Sequence, residues 1–261
     1  MTAEEPEDLI ESDVPARTTP ATLPGAIRTA VGDAYYHSWR LLPANIVWAA
    51  TAFALLVALL AGPLLVVLTP LLAVPTAGIF RITTRIVRGG PVSFWDALGA
   101  WRHDLGTTLL AGFGLVGAAL VFASNILTGL AGDSPLGWAL ATFAAWGIVG
   151  LWLFAWTLWP VLLDPERADR GVVDRARLAA LLVLAHPVRI GVLGIVLAVF
   201  LAVSAVAIVA LVTISVSLAA LVASRFVLTA ADRLEADLGR RAPAATATTR
   251  GGDSAAEPSA R

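Results

Sequence analysis

Trp152, Trp156 and Trp159 recur at spacings of four and three residues and so share one face of a helix. Indole faces stack on the apolar faces of sugar rings and on partner helices, which makes this stripe the candidate ligand-stacking surface of the chain. The plainer alternative is lipid-facing packing and interface anchoring, with Trp138 and Trp159 near the two ends of the segment. The histidines form a second set. There are three, His37, His103 and His186, each shortly before a long apolar run. If they converged they would make a three-His metal site; separately, each is an amphipathic residue at headgroup level. Cysteine is absent, which removes disulfides, thiolate nucleophiles and cysteine-ligated metals. No GxxxxGK[ST], HExxH or GxSxG pattern occurs, Arg88-Gly-Gly-Pro91 being too short to cradle phosphates. The expected function is therefore non-enzymatic, with no cofactor and no metal.

These residues must be positioned by helices in a bilayer. The chain of 261 residues is 58% hydrophobic and only 14% charged, far from the charge content of about a quarter typical of soluble domains. Residues 45–80 and 190–224 carry no charge at all. Each is about twice the length that crosses a hydrocarbon core of roughly 30 Å at about 1.5 Å per residue, so each reads as a hairpin of two spans. The fold class expected is all-α, a polytopic membrane protein with six transmembrane helices at about 44–61, 63–80, 106–127, 136–163, 188–206 and 209–231. Gly62-Pro63 breaks the first hairpin, and Pro70 and Pro75 are expected to kink the second span. The last run has neither Gly nor Pro between Ile195 and Ser224, so its break, placed near residues 204–210, competes with one long tilted helix.

Charge asymmetry sets the orientation. Arg81, Arg85, Arg88 and Arg102, then Arg175, Arg177 and Arg189, fall between spans on one side with the remaining arginines, and the opposite turns carry only Asp133. By the positive-inside rule, both termini are cytoplasmic and the lipid partner is the bacterial plasma membrane, the absence of lysine and the Ala, Gly and Val richness matching a GC-rich bacterial coding bias. A net charge of −1 gives no case for nucleic acid. Residues 1–22, acidic and without a signal-peptide pattern, and residues 239–261 read as disordered cytoplasmic tails flanking a membrane domain at 23–238. The run from Asp164 to Arg170 reads as a solvated loop.

Ahead of the first span, Ile27, Val31, Tyr35, Trp39 and Leu42 recur at helical spacing; Ser93 with Asp96 makes a capping-box-like start ahead of the third, and residues 172–185 repeat the pattern ahead of the fifth. This suggests three repeats of interfacial amphipathic helix plus transmembrane hairpin. Small residues at Ala111, Gly114, Gly117 and Ala118, and at Gly147 and Gly150, offer faces for close packing, within the chain or between copies. The oligomeric state is not legible.

Asn45-Ile-Val-Trp48, Pro75-Thr-Ala-Gly-Ile-Phe80, Arg81-Ile-Thr-Thr-Arg-Ile-Val-Arg-Gly89, Ser93-Phe-Trp95, Leu158-Trp-Pro160 and Ala185-His-Pro-Val-Arg189 together resemble the YesL-like integral membrane family of bacteria, over roughly residues 35–235. The chain departs from that family in its longer acidic N-terminal tail and its lack of lysine. The resemblance implies a multi-pass protein encoded near carbohydrate-uptake genes, with no established site residues to carry over. It points to an accessory of carbohydrate uptake whose partner is a sugar ABC transporter permease. A stand-alone facilitator or channel and a membrane-surface regulator acting through the acidic tail are the other two expectations.

Overall fold

The computed structural model describes residues 22–93, 95, 96, 99, 105–132, 134–207 and 214–250. Among them the regular secondary structure is helical, without strands. The α-helices are α1 (Leu23–Tyr36), α2 (Ser38–Ala61), α3 (Ala73–Val87), α4 (Leu105–Ala131), α5 (Pro135–Leu162), α6 (Val172–Ala185), α7 (Pro187–Val206) and α8 (Val216–Arg250). Five stretches are long and apolar enough to cross a membrane: Ser38–Ala61, Leu64–Val87, Leu105–Ala131, Pro135–Leu162 and Pro187–Val206. These match the first five expected spans and bear out the polytopic all-α class.

The sixth expected span is different. The helix α7 ends at Val206, within the predicted break, and α8 starts at Val216, so the run is not one long helix; residues 208–213 lie outside the described residues. About two and a half turns after Val216 the chain meets Arg225, and then Asp232 and Arg233, so the described part of α8 is not among the five apolar stretches. The helix α8 forms the centre of the bundle, packed against α1, α2, α3, α5, α6 and α7. Ala219, Ala220, Leu221, Ala223, Ser224 and Val227 are wholly buried. Small side chains let six neighbours approach one axis, and a hydroxyl pair, Thr83 Oγ1 to Ser224 Oγ at 3.1 Å, ties α3 to it. The first turn of α8 has amides with no partner of its own; Asn45 Oδ1 on α2 accepts from the Ser217 backbone N–H at 3.0 Å and its hydroxyl at 3.2 Å. At its far end α8 continues to Arg250, past residue 239 where a tail was expected, although Pro243, Thr246, Thr248 and Thr249 disfavour helix.

The second span also differs from a kinked α-helix. Pro63–Leu72 is a 3-10 helix containing Pro70, and Pro75 sits in the first turn of α3, where a missing N–H leaves no bond unmade. The helix α1 has two different apolar faces, one small and one bulky. Ala26, Ala30 and Ala34 are buried against α8, while Val31, Tyr35 and Trp39 point outward, Tyr35 with 78% of its surface exposed. In lipid the bulky stripe loses nothing by facing outward, and the alanine stripe permits the closer helix contact.

The order of a 14-residue helix followed by two further helices recurs as α1 to α3 and as α6 to α8. The junctions match as well: His37 closes α1 and opens α2, and His186 closes α6 and opens α7. For the middle unit, Ser93 N–H donates to Asp96 Oδ2 at 2.7 Å, as the capping pattern predicts, but most of the helix that follows lies outside the described residues.

Candidate functional site

The helix α5 divides its aromatics by depth. Trp138, Phe143 and Trp146 in the first half are exposed on the outside of the bundle, whereas Trp152, Trp156 and Trp159 in the second half turn inward. There they border a cavity of about 430 Å³ whose other walls are Trp48 of α2, Thr76 and Phe80 of α3, and residues of α7 and α8 including Leu201 and Val216. Trp159, with 6% of its surface exposed, stacks on Phe80 at 6.3 Å and 17°. Trp156 meets Phe80 edge-on at 5.9 Å and Trp152 at 5.4 Å. The cavity therefore has a rigid aromatic wall.

Its polar equipment is sparse and partly committed. Trp48 Nε1 donates to Thr76 Oγ1 at 2.9 Å, and the Thr76 hydroxyl donates to the Leu72 carbonyl at 2.7 Å. Trp152 Nε1 donates to the Gly194 carbonyl at 3.1 Å. This contact uses a glycine at close approach, because a Cβ on Gly194 would lie 2.1 Å from Leu153. The indole N–H groups of Trp156 and Trp159 have no hydrogen-bond partner among the described residues. Among the described residues, no ionisable side chain borders the cavity. Such a lining can hold an uncharged ring by stacking and offer it two donors, and it supplies no acid, base or nucleophile.

At the arginine-bearing end of the bundle, the run from Asp164 to Arg170 is solvated at Pro165, Glu166, Ala168, Asp169 and Arg170, but not at its two inner charges. Asp164 is 1% exposed and Arg167 is 3% exposed. Arg88, one residue past α3, grips Asp164 through Nε at 3.0 Å and Nη2 at 2.6 Å, and Asp232 of α8 through Nη1 at 2.9 Å and Nη2 at 3.0 Å. Arg167 reaches Asp164, Asp232 at 2.7 Å and Glu235 at 3.0 Å, and Arg170 adds a second partner for Glu235. The lattice joins the ends of α3 and α5 to the central helix with paired, forked bonds. Burial works against the charges of Arg88 and Arg167, yet their carboxylate hydrogen bonds outweigh it and hold both above the ordinary arginine range. Burial likewise pushes Asp232 and Glu235 up, but bonds from Arg88 and Arg167, and from Arg167 and Arg170, hold them below the usual carboxylate range.

A pH dependence follows from the two carboxyls. Each binds its proton more weakly folded than unfolded, so the unfolded chain takes up more protons on acidification and their contribution is lost as pH falls through the native values. The thermal midpoint in detergent is expected to stay level from neutral pH to about 5 and to drop below about 4, where free carboxyls protonate. Asp232→Asn should flatten that drop; an unchanged acid limb in the variant would contradict the assignment.

The remaining predicted residues fall in separate places. Arg81, Arg85 and Arg175 line one recess between α3, the end of α5 and α6. Arg177 and Arg189 are exposed. Arg102 and His103 lie outside the described residues. His37 and His186 sit at their own helix junctions, and the described residues contain no group of three or more His, Asp or Glu able to hold a metal ion. Asp164, Arg167, Asp232 and Glu235 were missed as a unit. Their only sequence signal is that Asp164 and Arg167, like Asp232 and Glu235, are three apart and so lie on one helical side. No protein-family model, curated protein or solved structure matches the chain.

Proposed function

We propose that this chain is a non-enzymatic multi-pass membrane protein of the YesL-like kind, an accessory of carbohydrate uptake that holds an uncharged, ring-bearing solute in its tryptophan-walled cavity. The observation that carries the proposal is the cavity of about 430 Å³ with aromatic faces from α2, α3 and α5 and two unengaged indole N–H donors. Stacking suits the C–H faces of a sugar ring, and the two donors suit its oxygens. The apolar remainder of the wall suits a glycoside with an apolar substituent better than a free polyol. Accessory action, with a sugar permease as partner, is favoured over a stand-alone carrier because, among the described residues, no ionisable group borders the cavity to couple transport to protons. The arginine-bearing end is taken as cytoplasmic by the positive-inside rule.

The test uses the full chain in lipid nanodiscs and follows tryptophan fluorescence during titration with mono- and oligosaccharides and their aryl glycosides. A saturable change is expected for one sugar class. Trp156→Ala, which removes one stacking face and one free donor, should weaken it roughly two- to tenfold, since such aromatic contacts contribute about 0.5–1.5 kcal/mol. Vesicles containing this chain alone should show no flux of the same compounds. Flux would favour the facilitator reading, and no saturable response across the panel would overturn the binding proposal.

A further inference from the structure

The two matching junctions of the fold carry the same pair of side chains. His37 stands between α1 and α2 with Arg40 three residues on, and His186 stands between α6 and α7 with Arg189 three residues on. In each case histidine and arginine come together. Arg40 Nη1 lies 3.5 Å from His37 Nδ1. His186 and Arg189 line one recess of about 30 Å³, whose floor is apolar through Ile190, Phe226 and Ala230 and whose edge carries Arg233.

Neither arginine of these pairs is neutralised within the chain. Arg85, Arg88, Arg167 and Arg225 all pair with carboxylates, whereas Arg40 and Arg189 make no ion pair among the described residues. Among those residues no carboxylate lines the recess beside His186 either. Arg233 has an interaction of its own, which leaves His186 and Arg189 as the groups with bonds to offer there. At the other junction Arg40 Nε is buried and unbonded, an arrangement that is costly for a charged group. The Arg40 guanidinium lies 4.4 Å from the centroid of the Trp39 ring, a contact that fixes its plane and leaves its edge for an acceptor. Both pairs sit where a spanning stretch begins, at Ser38 and at Pro187, and Trp39 is exposed there as an interfacial anchor would be. That is headgroup level, where phosphate is the abundant anion. A guanidinium fork matches its oxygens two at a time, and an imidazole N–H supplies a third bond.

We propose that His37 with Arg40, and His186 with Arg189, are two equivalent binding sites for a phosphate group. Both a lipid phosphodiester and a soluble phosphate carry the chemistry they recognise, and the experiment separates them. The full chain is placed in phosphatidylcholine nanodiscs with increasing phosphatidylglycerol, and its thermal midpoint is followed; a further arm titrates inorganic phosphate into discs of phosphatidylcholine alone. Stabilisation by phosphatidylglycerol with no response to inorganic phosphate identifies headgroup sites; a saturable response to inorganic phosphate identifies a soluble ligand. In either case the double variant Arg40→Gln with Arg189→Gln should raise the half-saturating concentration about fivefold, the equivalent of about 1 kcal/mol per arginine at its own site. Each single variant should fall between the double variant and the parent chain. Arg40→Lys with Arg189→Lys, which keeps the charge and loses only the fork, should lose less than the glutamine pair. The control is Arg28→Gln with Arg177→Gln, an equal change of charge at two exposed arginines that are not at the start of a span, and it should leave the response unchanged. No response to either probe, or a loss in the control as large as in the junction variants, would overturn the proposal.

Discussion

Asp164→Asn is expected to destabilise the protein by about 3–5 kcal/mol, the range for removing one member of a buried ion pair. The side chain of Asp164 is wholly buried, and both its oxygens are in use by Arg88 and Arg167. The amide is nearly the same size, so packing changes little. Its nitrogen, however, turns a donor toward guanidinium donors, and the two arginines are left with less negative charge than positive in a site shielded from water. The comparison is Asp237→Asn, whose carboxylate pairs with Arg240 at an exposed site where both side chains are more than half accessible. Such pairs contribute about 0–1 kcal/mol. Chemical unfolding in the same detergent, followed by far-ultraviolet dichroism, should separate the two variants clearly. Equal midpoints would mean that the lattice is only a surface feature and does not clamp the bundle.

The clamp bears on the cavity. Arg88 continues α3, which contributes Thr76 and Phe80; Asp164 follows α5, which contributes the tryptophans; Asp232 and Glu235 lie on α8, whose first residue, Val216, closes the wall. Three of the five helices that border the cavity are therefore fastened to one another beyond its arginine-bearing end. An aromatic wall can only stack on a ring if its indoles are held in place, and interlocked ion pairs hold them without placing a charge inside the cavity.

How much of this was legible follows from the range of each interaction. Hydropathy is a local sum, so five spans were readable from the sequence, with ends up to seven residues away, and the spacing of Trp152, Trp156 and Trp159 put them on one face. The bulky stripe of α1 was legible, but that Ala26, Ala30 and Ala34 meet α8 was not, because amphipathicity does not distinguish lipid from protein as the apolar surroundings. The central place of α8 and the other walls of the cavity depend on contacts between segments far apart in the chain, such as Asn45 with Ser217 and Trp48 with Thr76. The charge lattice was hidden for the same reason. A mixed run such as Asp164 to Arg170 looks solvated until Asp232 and Glu235 are placed over it.

Gly129→Val is expected to be the most damaging single change in the α4–α5 hairpin, and the reason lies in the backbone. A Cβ at Gly129 would stand 2.4 Å from the Gly137 carbonyl oxygen, and one at Gly137 would stand 2.5 Å from that of Gly129. Neither neighbour is the end of a flexible side chain, so the two helices would have to separate just before the turn where Ser134 caps α5 through Gly137 N–H at 3.0 Å. Overpacking of this kind costs about 1–3 kcal/mol and can cost more when backbone must move. The small-residue faces suggested by the sequence give the control. Gly114, Gly117 and Gly150 have open space where a Cβ would go, whereas Gly147 meets the Phe122 ring at 2.5 Å. Gly117→Ala should therefore be neutral or stabilise α4 by roughly 0.5–1 kcal/mol, the usual cost of glycine in a helix. Thermal unfolding of the two variants in detergent should move in opposite directions, Gly129→Val downward and Gly117→Ala level or upward. If both fell together, glycine would matter in α4 through helix flexibility and not through the close approach of two backbones.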